Sequence, residues 1–173
     1  MRLGRVQEAV EHYERAVTIN ADFAEAHNNL GSALLKSGKV PEAIGQFEQA
    51  LRLKPDLTEA HYNLAIALKQ AGRVQEAIGR YQEALRLMPD YAEAHYNLGN
   101  ALFGVGKVTE AIEHYEKALQ IKPDFAETHY NLGVALELTG QAQQAIRHYE
   151  QALRLKPDYA EAEKRLARLR VAE

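Results

Sequence analysis

Small and apolar residues recur along this chain in two helical stripes that alternate, and the alternation returns every 34 residues. Ala94, Leu98, Ala101 and Leu102 carry the first stripe, at the spacing of one face of an α-helix. After Gly106 a second stripe follows in Ala111, Ile112, Tyr115, Ala118 and Leu119, and it ends before Pro123, whose ring disfavours helical geometry at the preceding residue. Asp22, Asp56, Asp90, Asp124 and Asp158 mark the period, as do Gly4, Gly38, Gly72, Gly106 and Gly140. A fixed interval of this length predicts stacked supersecondary units, each touching only its neighbours, in place of one globular core.

Each unit reads as two helices. An aspartate followed three residues later by a glutamate, as in Asp56 and Glu59 or Asp90 and Glu93, has the form of a capping box and predicts a helix start. The period glycine predicts its end, in a left-handed conformation. One short turn then joins two antiparallel helices that bury their stripes on each other. Gly31, Gly99 and Gly133, with Ala65 in the same register, leave room where the helices cross, opposite Ala43, Ala77, Ala111 and Ala145. The rings of Tyr13, Phe47, Tyr81, Tyr115 and Tyr149 are expected to fill the wedge between neighbouring repeats.

From His27 to Pro55, the spacing of Leu30, Gly31, Leu34, Ala43, Phe47 and Pro55 resembles the tetratricopeptide repeat pattern, with His27 where that family most often has tryptophan. The pattern recurs over the whole chain. It divides into a second-helix half repeat at 1–23, full repeats at 24–57, 58–91, 92–125 and 126–159, and a lone capping helix at 160–173. The resemblance implies an all-α, right-handed superhelical solenoid that binds proteins.

Charge and composition narrow the partners. A formal net charge of −3, with basic residues scattered, gives no footprint for nucleic acid or a membrane surface. There is no cysteine, hence no disulfide framework, and no signal peptide or spanning segment is apparent, so a cytoplasmic location is expected. No Ser/His/Asp grouping or phosphate-cradling loop is present, so no enzyme activity and no cofactor are expected. The register histidines His27, His61, His95 and His129 should stand one helix spacing apart, roughly 10 Å, too far for one ion to join two of them. No metal is therefore expected, and each ring is read as partly buried with one nitrogen bonded; His12, His114 and His148 are read as solvated.

One polar stripe is left unexplained by packing. Asn29, Asn63, Asn97 and Asn131 recur without exception, although asparagine is a mediocre helix former. Beside them stand Asn28, Tyr62, Tyr96 and Tyr130, and further along the same faces Asn100 and Phe103. In the resembled family such positions line a concave groove for extended peptides, and the ladder is similar to that of the superhelical repeats in O-linked N-acetylglucosamine transferases and related bacterial repeat proteins. An amide offers donor and acceptor alike, so a ladder of them can bond a ligand backbone whatever its sequence. The family's carboxylate clamp fits less well, since Lys36 and Lys69 are the only basic members of these registers before the final helix. The alternative reading is a substrate-recruiting arm of a larger enzyme such as a glycosyltransferase. In the final helix Arg165 and Arg168 replace the ladder residues, which reads as a solvating cap. The unequal ends also suggest weak head-to-tail self-association, with Leu166 and Leu169 of one copy meeting Ala9, Val10, Tyr13, Ala16 and Val17 of another.

Overall fold

The computed structural model describes residues 2–171, with side chains from Val6 onward, so the period glycine Gly4 lies outside the described side chains. Among the described residues there are ten α-helices and no strand: α1 (Arg2–Ile19), α2 (Ala24–Lys36), α3 (Val40–Leu53), α4 (Thr58–Gln70), α5 (Val74–Leu87), α6 (Ala92–Gly104), α7 (Val108–Ile121), α8 (Ala126–Leu138), α9 (Ala142–Leu155) and α10 (Ala160–Val171). The chain forms two compact units, Met1–Pro89 with α1–α5 and Asp90–Glu173 with α6–α10. In the first, α2 packs on α3, α4 on α5, and α2 also touches α4; in the second, α6 and α7, α8 and α9, and α6 and α8 are related likewise. This is the all-α helical repeat solenoid that the period implies.

The glycine stops behave as the sequence requires. Gly38, Gly72, Gly106 and Gly140 have φ between 77° and 81°, where an L side chain is strained. At each of them two backbone N–H groups return to the last turn of the helix. At Gly106 these are its own N–H to Phe103 O at 3.0 Å and Lys107 N–H to Leu102 O at 3.0 Å. This double bond pattern satisfies carbonyls that the helix end leaves unpaired and reverses the chain within three residues.

The first helices start where expected, two residues after the aspartates, but without the expected cap. No side-chain capping bond is made at the start of α2, α4, α6 or α8, whose N-cap residues are Phe23, Leu57, Tyr91 and Phe125. The aspartates precede these residues in the turn. The glutamates reach instead across the repeat to the end of its second helix: Glu25 to Lys54 at 2.8 Å, Glu93 to Lys122 at 3.2 Å and Glu127 to Lys156 at 3.8 Å. Glu59 has Met88 in that register, and the pair is missing. Such exposed pairs contribute at most about 0.2–1 kcal/mol each.

The rings lie on the helix glycines of their own repeat, and Tyr115 also borders a cleft with Asn131 and Val134 of the following one. A Cβ built on Gly31 would meet the Phe47 ring at 2.7 Å, on Gly99 the Tyr115 ring at 2.6 Å and on Gly133 the Tyr149 ring at 2.6 Å. Mid-helix glycine costs about 1 kcal/mol against alanine, while full burial of an aromatic side chain gains roughly 1.5–3 kcal/mol, so seating the ring wins. Phe47, Tyr115 and Tyr149 are accordingly buried, as are Ala43, Ala111 and Ala145 beside them.

Candidate functional site

The asparagine register sits on the first helices, at mid-helix where backbone geometry is fixed and one face turns away from the second helix. Asn63, Asn97 and Asn131 are half-buried and Asn29 is exposed. Asn63 Nδ2 donates to Asn28 Oδ1 at 3.0 Å and to Ser32 Oγ at 3.3 Å. The direction is forced: Ser32 Oγ gives its own hydrogen to Asn28 O at 3.1 Å and can only accept from Asn63. In the other unit Asn131 Nδ2 donates to Asn100 Oδ1 at 2.8 Å and to Tyr96 Oη at 3.4 Å. The rungs thus knit α4 to α2 and α8 to α6 through their amide hydrogens, while the carbonyl oxygens of Asn63 and Asn131 carry no bond among the described residues.

The neighbouring candidates divide into surface and support. Tyr62, Tyr96 and Tyr130 are half-buried, as is Phe103. Tyr96 packs on Phe125 and Tyr130 on Tyr159, each with ring centroids 4.8 Å apart, and both also lean on the buried rings Tyr115 and Tyr149. Those contacts hold the tyrosines in fixed orientations. Asn28 is 9% exposed and its Oδ1 accepts from Asn63, so it braces the ladder from beneath. Asn100 is likewise committed, its Oδ1 accepting from both Tyr115 Oη and Asn131. A cleft of about 130 Å³ lies among Asn100, Phe103, Tyr115, Asn131 and Val134, and one of about 310 Å³ joins Asn29, Ser32, Ala33 and Lys36 to Val6, Ala9 and Tyr13 of α1.

The last helix is more than a solvated cap. Glu137, in the Phe103 register, accepts from Tyr149 Oη at 2.8 Å and from Arg165 at 3.0 Å, and it also pairs with Arg168. Burial opposes its charge, but these donors outweigh burial and hold the carboxyl below its ordinary range. Tyr130, Glu161, Lys164, Arg165 and Arg168 line a cavity of about 350 Å³ there. Leu166 is 7% exposed, packed within its own unit. That removes it from the surface a head-to-tail contact would use, and leaves only half-buried Leu169.

The histidines form contacts that the sequence reading missed. His12 is exposed, but His114 and His148 are half-buried, and each meets the register histidine of its own repeat: His95 Nδ1 to His114 Nδ1 at 2.9 Å and His129 Nδ1 to His148 Nδ1 at 3.0 Å. The centroids are 5.2 and 5.3 Å apart, which is the nitrogen separation plus about 1.1–1.2 Å of ring radius on either side, so the rings meet end-on. An ion bonded at about 2.0–2.1 Å to both nitrogens would need them about 3.3 Å apart in a tetrahedral site, or near 4 Å if it lay on the line between end-on rings. In the same register His27 meets Gln46 Oε1 at 2.7 Å, while the buried Nδ1 of His61, with Arg80 in that position, has no partner. Among the described residues no group of three or more His, Asp and Glu side chains is arranged to hold a metal, and no helix is long and apolar enough to cross a membrane.

Comparison with known proteins agrees with this architecture. The sequence profile of the TPR repeat matches residues 1–38, 31–72, 67–106 and 99–140, and that of the tetratricopeptide repeat matches 126–159. A search of curated proteins finds no match. Among solved structures, a MamA structure superposes with a TM-score of 0.83 at 29% identity, covering 92% of this chain and 94% of that one. YrrB, described as a TPR protein with an unusual peptide-binding site, superposes with a TM-score of 0.79 at 23% identity over 94% of this chain and 84% of its own. MamA from Desulfovibrio magneticus RS-1 reaches 0.82 at 23% identity, covering 91% and 89%.

Proposed function

The chain belongs to the tetratricopeptide repeat family, and from that premise we propose that it is a non-catalytic interaction scaffold which holds an extended peptide against its first helices. The observation that carries this reading is the state of the asparagine rungs. Both hydrogens of Asn63 and of Asn131 are used inside the stack, which fixes each amide in one orientation, and each carbonyl oxygen is left over. A ladder of pre-oriented acceptors suits the N–H groups of a peptide backbone, since a fixed side chain loses little entropy on binding. The braced tyrosines Tyr62, Tyr96 and Tyr130, together with Phe103, add flat contact area at similarly low entropic cost. YrrB supplies a precedent for peptide binding on this fold. A recruiting arm of a larger enzyme would use the same face, and the flanking sequence of the parent protein distinguishes the two. Weak head-to-tail contact between copies would draw on Val6, Ala9 and Tyr13 around the 310 Å³ cleft; sedimentation at rising concentration tests it.

The test is selection of peptides from a displayed library, followed by titration of the triple variant Asn63→Ala, Asn97→Ala, Asn131→Ala. At about 0.5–1.5 kcal/mol per hydrogen bond, the variant should bind a selected peptide roughly one to three decades more weakly. It should also lose some thermal stability, because the rungs bond their neighbours. Undiminished affinity would refute the ladder as a ligand contact.

A further inference from the structure

An end-on pair of imidazoles has room for one proton between its facing nitrogens. His129 Nε2 lies 3.0 Å from Pro123 O and must donate to it, so in the neutral pair His129 Nδ1 is bare and His148 Nδ1–H supplies the bond. A first added proton can be carried on the outer nitrogen of His148. A second would put N–H groups on both facing nitrogens at 3.0 Å and break the contact. His95 and His114 meet in the same way at 2.9 Å.

We propose that these two histidine pairs make the Asp90–Glu173 unit an acid-sensitive switch, in which α6 separates from α7 and α8 from α9 as the pH falls below the ordinary histidine range, while α2 and α3, which hold no such pair among the described residues, stay closed. Unfolded or opened, each pair takes two protons; closed, it takes at most one. By linkage each excluded proton lowers the closed-to-open ratio up to about tenfold per pH unit, and two pairs up to about a hundredfold. The surroundings support the direction. Burial and then the facing His129 push His148 down to about 4. Burial and then His95 push His114 down, against the opposing pull of Glu113 and Glu110 on its own helix. A depressed histidine favours the neutral closed form, so this stability is fully present above the unfolded value and is lost as pH falls from there toward 4.

The first unit contains its own control. Gln46 faces His27 at 2.7 Å, and its amide can donate to a neutral ring or accept from a charged one. The double variant His114→Gln, His148→Gln should therefore keep both contacts and lose the proton exclusion. The experiment is hydrogen exchange on the whole chain between pH 7 and pH 4.5, read by mass spectrometry for α2–α5 and α6–α9 separately and corrected for intrinsic rates. The expected result is an opening equilibrium of α6–α9 that rises at least about thirtyfold more in the parent than in the variant, with α2–α5 alike in both. Parallel profiles, or α2–α3 opening as steeply as α6–α9, would overturn the switch. Should the variant not fold, histidine nitrogen signals of the parent decide: four independent titrations in the unit at the ordinary histidine value would equally overturn it.

Discussion

Repeats 58–91 and 92–125 have one backbone plan and different polar interiors. In the second of these, Gly99 seats the Tyr115 ring, whose hydroxyl donates to Asn100 at 2.8 Å, and His95 meets His114. In the first, Ala65 takes the glycine position, Ile66 the Asn100 position and Arg80 the His114 position. The Tyr81 hydroxyl and His61 Nδ1 are then buried without a partner. The ring-on-small-residue contact is thus the invariant that specifies the fold, and the polar partners around it vary at a cost of one or two unmade hydrogen bonds. Where partners are present they add more than stability: they fix the amide rungs and, through the histidines, make closure depend on pH.

The largest effect should come from breaking the shared contact. Gly99→Leu would drive a side chain into the Tyr115 ring, which already stands 2.6 Å from where a Cβ would be. Overpacking of this kind typically costs about 1–3 kcal/mol, and this site is expected at the upper end, read as the shift of a urea unfolding midpoint. Gly99→Ala should be far milder. Ala65 shows that the plan tolerates a methyl group there, and the helix-propensity gain of about 1 kcal/mol offsets a displaced ring. A leucine variant as stable as the parent would mean that the ring is not held on the glycine.

A smaller and more pointed test exchanges the two tyrosines. Tyr81→Phe deletes a buried hydroxyl that has no partner, while Tyr115→Phe deletes one that bonds Asn100, so opposite signs are expected: about 1 kcal/mol gained in the first repeat and about 1 kcal/mol lost in the second. Thermal unfolding of both variants measures it. Equal losses would show that the Tyr81 hydroxyl is bonded and that the two interiors do not differ.

The comparison also explains which features were legible in the sequence. Period, helix pairs and glycine stops follow from local geometry and could be read directly. The Asp-x-x-Glu motif misled, because a glutamate one turn into a helix serves a cap or a distant lysine equally well; the matching lysines at Lys54, Lys122 and Lys156, absent at Met88, were the available sign. The histidine pairs were hidden because they depend on how two helices face each other. Once glycine and ring are known to touch, as Gly99 and Tyr115 do, His95 one helical turn before the glycine and His114 directly before the ring are both placed beside that contact. Of the ligand face, the register was legible but the division of labour was not. Only side-chain geometry shows that Asn28 and Asn100 brace their neighbours.

The direct test of the proposed ligand face uses Asn29, the one ladder residue that is exposed and makes no side-chain bond among the described residues. Unlike Asn63 and Asn131 it does no structural work, so Asn29→Ala separates binding from stability. Calorimetric titration with a library-selected peptide whose contacts reach α2 should show affinity weakened by roughly twofold to tenfold, the equivalent of one hydrogen bond, with the unfolding temperature unchanged. Unchanged affinity for such a peptide would contradict the ladder as a ligand contact and leave the asparagines as struts between helices.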